Sequence, residues 1–250
     1  MKEGITKKLV LFIAFLTLAC LVKDWVDFAR CGAVDQCLQD MGGFQNYAKF
    51  TISFLLTVLA FVVSSSSANA QDRCWLRCAF IFSLMADFCF RLIPMLSFEL
   101  PVGNSILGIG FFMFFQSALT VRHSRVSDKD SHFPKAMIIP IVVLVVAAVL
   151  YAMGLVPQLV FVVGSYAAFL ITSLCVACKA TSNPYFSQAK AKLIKNGMIV
   201  FFIGDALVGL ALATGEDHSL METVAAIANN LIWIVYVPAQ LMLIRSCKEN

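Results

Sequence analysis

Two carboxylates stand where a chain of this composition would rarely place them. Asp87 lies in FIFSLMADFCFRLIP, residues 80 to 94, and Asp205 lies in IVFFIGDALVGLAL, residues 199 to 212. A charged group near the middle of a bilayer costs about 2.5 to 3.5 kcal/mol on insertion scales, and such groups face a bundle interior or a water-filled cavity. Each acid follows aromatic and aliphatic residues and then a small one, Ala86 or Gly204. Of the 15 acidic residues, only these two sit deep in apolar sequence. Two carboxylates sharing an apolar cavity separate in proton affinity, so that one is protonated while the other is ionised. General acid and base chemistry needs that separation, and so does proton-coupled transport. Arg91, four residues after Asp87, offers an ion pair within one helix. Asp205 has Phe201 and Gly209 at the corresponding positions and no such partner. Asp87 is therefore the expected base and Asp205 the expected acid. A second set, Asn229, Trp233, Tyr236 and Gln240, falls on one helical face and forms an inward polar stripe.

The elements that carry these residues must be membrane helices. At 60% hydrophobic and 14% charged residues, with a mean hydropathy of +0.84, the 250 residues lie outside the soluble range. Windows of about 20 apolar residues give eight spans, near 7–29, 46–68, 74–94, 101–121, 135–153, 156–179, 193–214 and 221–245. The expectation is one all-α integral membrane domain, residues 1–250, a single bundle of eight transmembrane helices. Lys2, Lys7 and Lys8 precede an apolar run in the manner of a signal peptide, but the spans that follow favour a retained first helix. With the N-terminus inside, all but four of the 19 lysines and arginines fall on the cytoplasmic side, the exceptions being Lys23, Arg30, Lys49 and Arg91. Both termini are then cytoplasmic. The acidic loop with Glu216, Asp217 and Glu222 is external. The third and seventh spans run the same way and hold their aspartates at similar depth, a faint parallel duplication of spans one to four in spans five to eight. The net charge of +4 is scattered between apolar segments, so no nucleic-acid partner is implied.

Other chemistry is less well supported. Cys31 and Cys37 lie in the first external connection, where a disulfide and two free thiols are equally open. Cys74, Cys78, Cys175 and Cys178 approach one face without the spacing of a structural zinc motif. Ser64 to Ser67 form the polar end of the second span, and His123, His132 and His218 fall in loops, away from any serine nucleophile. Gly103, Gly108 and Gly110 give the fourth span a small face for close packing, and Gln158, Ser165 and Thr172 form a polar stripe on the sixth.

The chain resembles the YhhN family of eight-span membrane proteins, which includes the lysoplasmalogenases. The resemblance rests on the span count, Ala86-Asp87 in the third span, Gly204-Asp205 in the seventh, and YVPAQ from Tyr236 to Gln240. Ala86 departs from the glycine common at that position. The resemblance implies hydrolysis of the vinyl-ether bond of a lysoplasmalogen, releasing a fatty aldehyde and glycerophospho-ethanolamine or glycerophospho-choline. Asp87 and Asp205 would be catalytic, with Arg91, Asn229, Trp233, Tyr236 and Gln240 binding a lysophospholipid drawn from the bilayer. That chemistry requires no metal and no organic cofactor. The membrane would be a cell or inner membrane in a bacterium and an internal one in a eukaryote. The competing reading is a small proton-coupled transporter or channel using the same acids.

Overall fold

A computed structural model of the chain describes residues 2–31, 43–67, 69–96, 103–127, 130–212 and 220–248. Among the described residues the architecture is all-helical, and eight helices are long and apolar enough to cross a membrane. They are α1 (Lys2–Cys31), α2 (Gly43–Ser64), α3 (from Ala70–Asp87 on through Phe88–Leu92 to Ile93–Met95), α4 (Asn104–His123), α5 (Phe133–Ala152), α6 (Gln158–Lys179), α7 (Gln188–Leu212) and α8 (Leu220–Arg245). Their starts follow local chemistry. The Asn69 side chain accepts from the backbone N–H groups of Gln71 and Asp72 and caps α3. Gly154 takes φ 70° in the turn between α5 and α6, a conformation that suits glycine.

Helix α3 is not uniform. Directly after Asp87, residues Phe88–Leu92 form a π-turn in which the Ile93 N–H reaches the Phe88 carbonyl. The widened turn meets Pro94, which cannot donate a helical hydrogen bond. Such π-bulges recur at functional sites. Gly108 of α4 lets the Phe90 ring of this turn approach, since a Cβ there would meet the ring at 2.7 Å. Gly110 has nothing within 4 Å and plays no such part.

The halves repeat each other in register. Helix α1 packs on α2 as α5 packs on α6, α2 on α3 as α6 on α7, and α3 on α4 as α7 on α8. The halves interlock by the same rule, with α4 against α6 and α8 against α2. The inward positions of α3, Leu76, Ala79, Phe80, Ser83, Ala86 and Asp87, recur at identical spacing in α7 as Ile194, Gly197, Met198, Phe201, Gly204 and Asp205. On α2 and α6, Ile52, Ser53, Leu56 and Thr57 correspond to Ser165, Tyr166, Phe169 and Leu170. On α4 and α8, Phe112, Gln116 and Leu119 correspond to Tyr236, Gln240 and Leu243. Four spans per half preserve direction, so the two halves run parallel.

Candidate functional site

The repeat brings Asp87 and Asp205 to equivalent positions, each met by a hydroxyl from the preceding helix of its own half. Ser53 Oγ on α2 donates to Asp87 Oδ2 at 2.6 Å. Tyr166 Oη on α6 donates to Asp205 Oδ2. A buried glutamine extends each arrangement. Gln116 Nε2 reaches Tyr166 Oη at 3.4 Å. Gln240 Nε2 donates to Ser83 Oγ at 3.2 Å, and Ser83 Oγ lies 2.9 Å from Tyr236 Oη.

The symmetry then breaks. Tyr236 Oη donates to Asp87 Oδ2 at 2.9 Å, giving that carboxylate a second hydroxyl donor. The equivalent residue in the other half is Phe112, which has none to offer. Asp87 is 6% exposed, while Asp205 is half-buried. The acids share no direct hydrogen bond. An aromatic cluster connects their tyrosines, with Phe201 at 5.8 Å from Tyr236 and 6.4 Å from Phe112, and Phe112 at 6.3 Å from Tyr166. Rings thus link the two tyrosines that bond the acids.

The expected ion pair between Asp87 and Arg91 is not formed. The π-turn closes at five residues instead of four, so Arg91 does not come to lie one α-turn above the acid. Its guanidinium lies over the Trp233 ring at 5.9 Å and donates to Asn46 Oδ1 at 3.4 Å. Among the described residues, the buried Trp233 indole N–H has no hydrogen-bond partner, and neither have the Gln240 and Gln116 side-chain carbonyls. Trp233, Tyr236 and Gln240 face inward as the stripe predicts, but Asn229 is exposed. The inward asparagine is Asn230, which donates to the Asp24 carbonyl because α8 meets α1 at that level.

Sequence reading misses two buried ion pairs. At the end of the bundle away from the termini, Lys49 Nζ lies 2.9 Å from Asp24, and Gln45 Nε2 donates to both Asp24 and Asp27. At the opposite end, Arg122 Nε lies 2.7 Å from Asp72 while Arg122 Nη1 donates to Ser246 Oγ at 2.8 Å. His123, expected in a loop, is buried beside Arg122 in the last turn of α4. These charges sit at span ends, where sequence alone reads them as solvated. The signal that could find them is periodicity, since Lys49 precedes Ser53 and Thr57 by one and two turns. Cys31 is disulfide-bonded, and Cys37 lies outside the described residues, as do Glu216, Asp217 and His218. Cys74, Cys78, Cys175 and Cys178 are free thiols.

No curated protein sequence and no solved structure matches the chain significantly. The YhhN family model matches residues 44–247, from the start of α2 to just beyond α8, a stretch holding both aspartates and the residues that bond them. With most of its length covered by that match, this chain belongs to the YhhN family.

Proposed function

We propose that the protein is a membrane-embedded hydrolase that cleaves the vinyl-ether bond of lysoplasmalogens. Asp205 gives a proton to the alkenyl carbon remote from the ether oxygen, leaving an oxocarbenium ion at the carbon that bears that oxygen. Asp87 accepts a proton from water as the water attacks this carbon. The hemiacetal so formed collapses to a fatty aldehyde and the free hydroxyl of a glycerophosphodiester. Paired carboxylates divide the same labour in glycoside hydrolysis.

The observation that carries the reading is the unequal bonding of the two acids. Asp87 Oδ2 accepts from Ser53 and Tyr236, which suits a carboxylate that receives protons and steadies a cation. Asp205 accepts from a single hydroxyl among the described residues, that of Tyr166, and is the more open of the two, which suits a group that gives a proton to substrate. Arg91 takes the substrate phosphate in this scheme, a role supported by its being held by a ring and one amide rather than by a carboxylate, with the Trp233 indole N–H near it. Gln240 and Tyr236 position Asp87. Asn229, turned outward, has no part in this scheme.

The repeat favours one second reading, because many transporters are built from internal repeats that hold their binding site between the halves. One experiment separates the two. Purified protein incubated with a lysoplasmalogen should release aldehyde, and Asp87→Asn or Asp205→Asn should each lower the rate by about 10²- to 10⁴-fold. Absence of aldehyde, with proton-dependent uptake by reconstituted vesicles, would establish transport instead.

A further inference from the structure

A cavity of about 580 Å³ opens along the flank of the bundle between α2 and α3. Its walls run from Thr57 on α2 to Ser65 just past its end and from Arg77 to Ile81 on α3, and they are largely apolar. Thr57, at its upper end, lies one turn below Ser53, the donor to Asp87, and bonds across to the Phe80 carbonyl of α3. From Thr57 to Ser65 the wall extends about 12 Å along the helix axis. One turn beyond Ser53 in the other direction stands the buried cation Lys49, with Arg91 on α3 beyond Asp87. Read along the two helices, the order is Arg91 beside the Lys49–Asp24 pair, then the acid, then an apolar trough.

We infer that this groove takes the single hydrocarbon chain of the substrate, with the phosphate at the Arg91 end. The inference rests on the proposed hydrolase reading and adds the direction in which the substrate lies. The reverse pose fails on distance, because Arg77 is ten residues from Asp87, about 15 Å along the helix, whereas the phosphate is only a glycerol unit from the reacting bond. Arg77 is also engaged already, by Ser64 Oγ at 2.9 Å, the Phe61 carbonyl and the Phe61 ring.

The test uses binding, which does not depend on turnover. Val62→Trp and Ser65→Trp narrow the lower groove, at lining positions that are not buried in the bundle. Purified variants are titrated with saturated 1-hexadecyl and 1-octyl ether lysophospholipids. The expected result is about tenfold weaker binding of the hexadecyl compound, roughly what leaving two methylene groups unburied would cost, with the octyl compound unchanged because it ends above the substitutions. Unchanged binding of both would mean that bulk lipid fills the groove, and an equal loss for both would mean general damage. Either overturns the inference. Chain-length selection without aldehyde release keeps the groove and removes the hydrolase reading, whereas aldehyde release with no chain-length shift does the reverse.

Discussion

Phe112 occupies on α4 the place that Tyr236 occupies on α8, and this one missing hydroxyl leaves Asp205 with a single donor among the described residues where Asp87 has two. Phe112→Tyr should supply the absent bond. A donor to a charged group contributes about 1.5 to 3 kcal/mol, so the ionised form of Asp205 should be favoured and the protonated form that delivers the proton should become roughly 10- to 100-fold scarcer, slowing turnover. Tyr236→Phe should weaken Asp87 as an acceptor instead. The solvent deuterium isotope effect on kcat distinguishes them, rising in the first variant and not in the second. Identical behaviour would mean that the two acids do not divide the labour.

Arg122 is fully buried and its guanidinium joins α3, α4 and the residues after α8. Arg122→Met leaves the Asp72 carboxylate buried and unpaired, which should cost about 3 to 5 kcal/mol. Arg122→Met combined with Asp72→Leu should recover most of that loss. Thermal unfolding in detergent checks both, and a double variant as unstable as the single one would show that the pair is not the cause.

Gly108→Ala should destabilise the protein by about 1 to 3 kcal/mol, because the new methyl group would meet the Phe90 ring. Phe90 sits beside Arg91 in the π-turn, so KM should rise more than kcat falls. A rise in KM without any loss of stability would separate the two effects and contradict the contact.

The Cys247 thiol is fully buried against Asp72, and burial pushes it up to about 11. Only the thiolate reacts with iodoacetamide, so near neutral pH Cys247 should stay unmodified while the exposed Cys74 and Cys175 react. Alkylation of Cys247 should begin only as pH climbs toward 11 or once the chain unfolds. Mass spectrometry of labelled peptides reads this directly.

Eight spans would put both termini on one side, and the distribution of lysine and arginine predicts that this side is cytoplasmic. A fluorescent reporter fused after Asn250 should be bright when it requires the cytoplasm to fold. A reporter active only on the external face would invert the bundle.

The eight helices and both aspartates are legible in the sequence for one reason, the cost of charge in an apolar run, which makes Asp87 and Asp205 conspicuous. The same logic hides Asp24, Lys49, Asp72 and Arg122. A charge at a span end reads as solvated, and only packing reveals that it is buried. The duplication is visible at Asp87 and Asp205 but not at Ser53 and Tyr166 or at Phe112 and Tyr236. Connections of different length shift the spacing between one helix pair and the next, and the paired residues are chemically unlike. Ideal periodicity selects Asn229 over Asn230 because it ignores which neighbour a helix meets at each level. The π-turn leaves no mark beyond Pro94, yet it decides where Arg91 points.

That turn behaves as a joint. It is a one-residue insertion in an otherwise regular helix, so deleting one residue within Phe88–Leu92 would restore the common winding and swing everything beyond it around the axis. Arg91 would then stack on Asp87 and neutralise it. With the insertion present, Arg91 sits within the joint itself, apart from the α-helical segment that carries Asp87. On the proposed hydrolase reading, substitutions in and beyond the joint would retune the head-group end while the acids keep their geometry, so divergence of head-group preference among descendants of such a chain should concentrate between Phe90 and Met95 and spare the turn that carries Ser83 and Asp87.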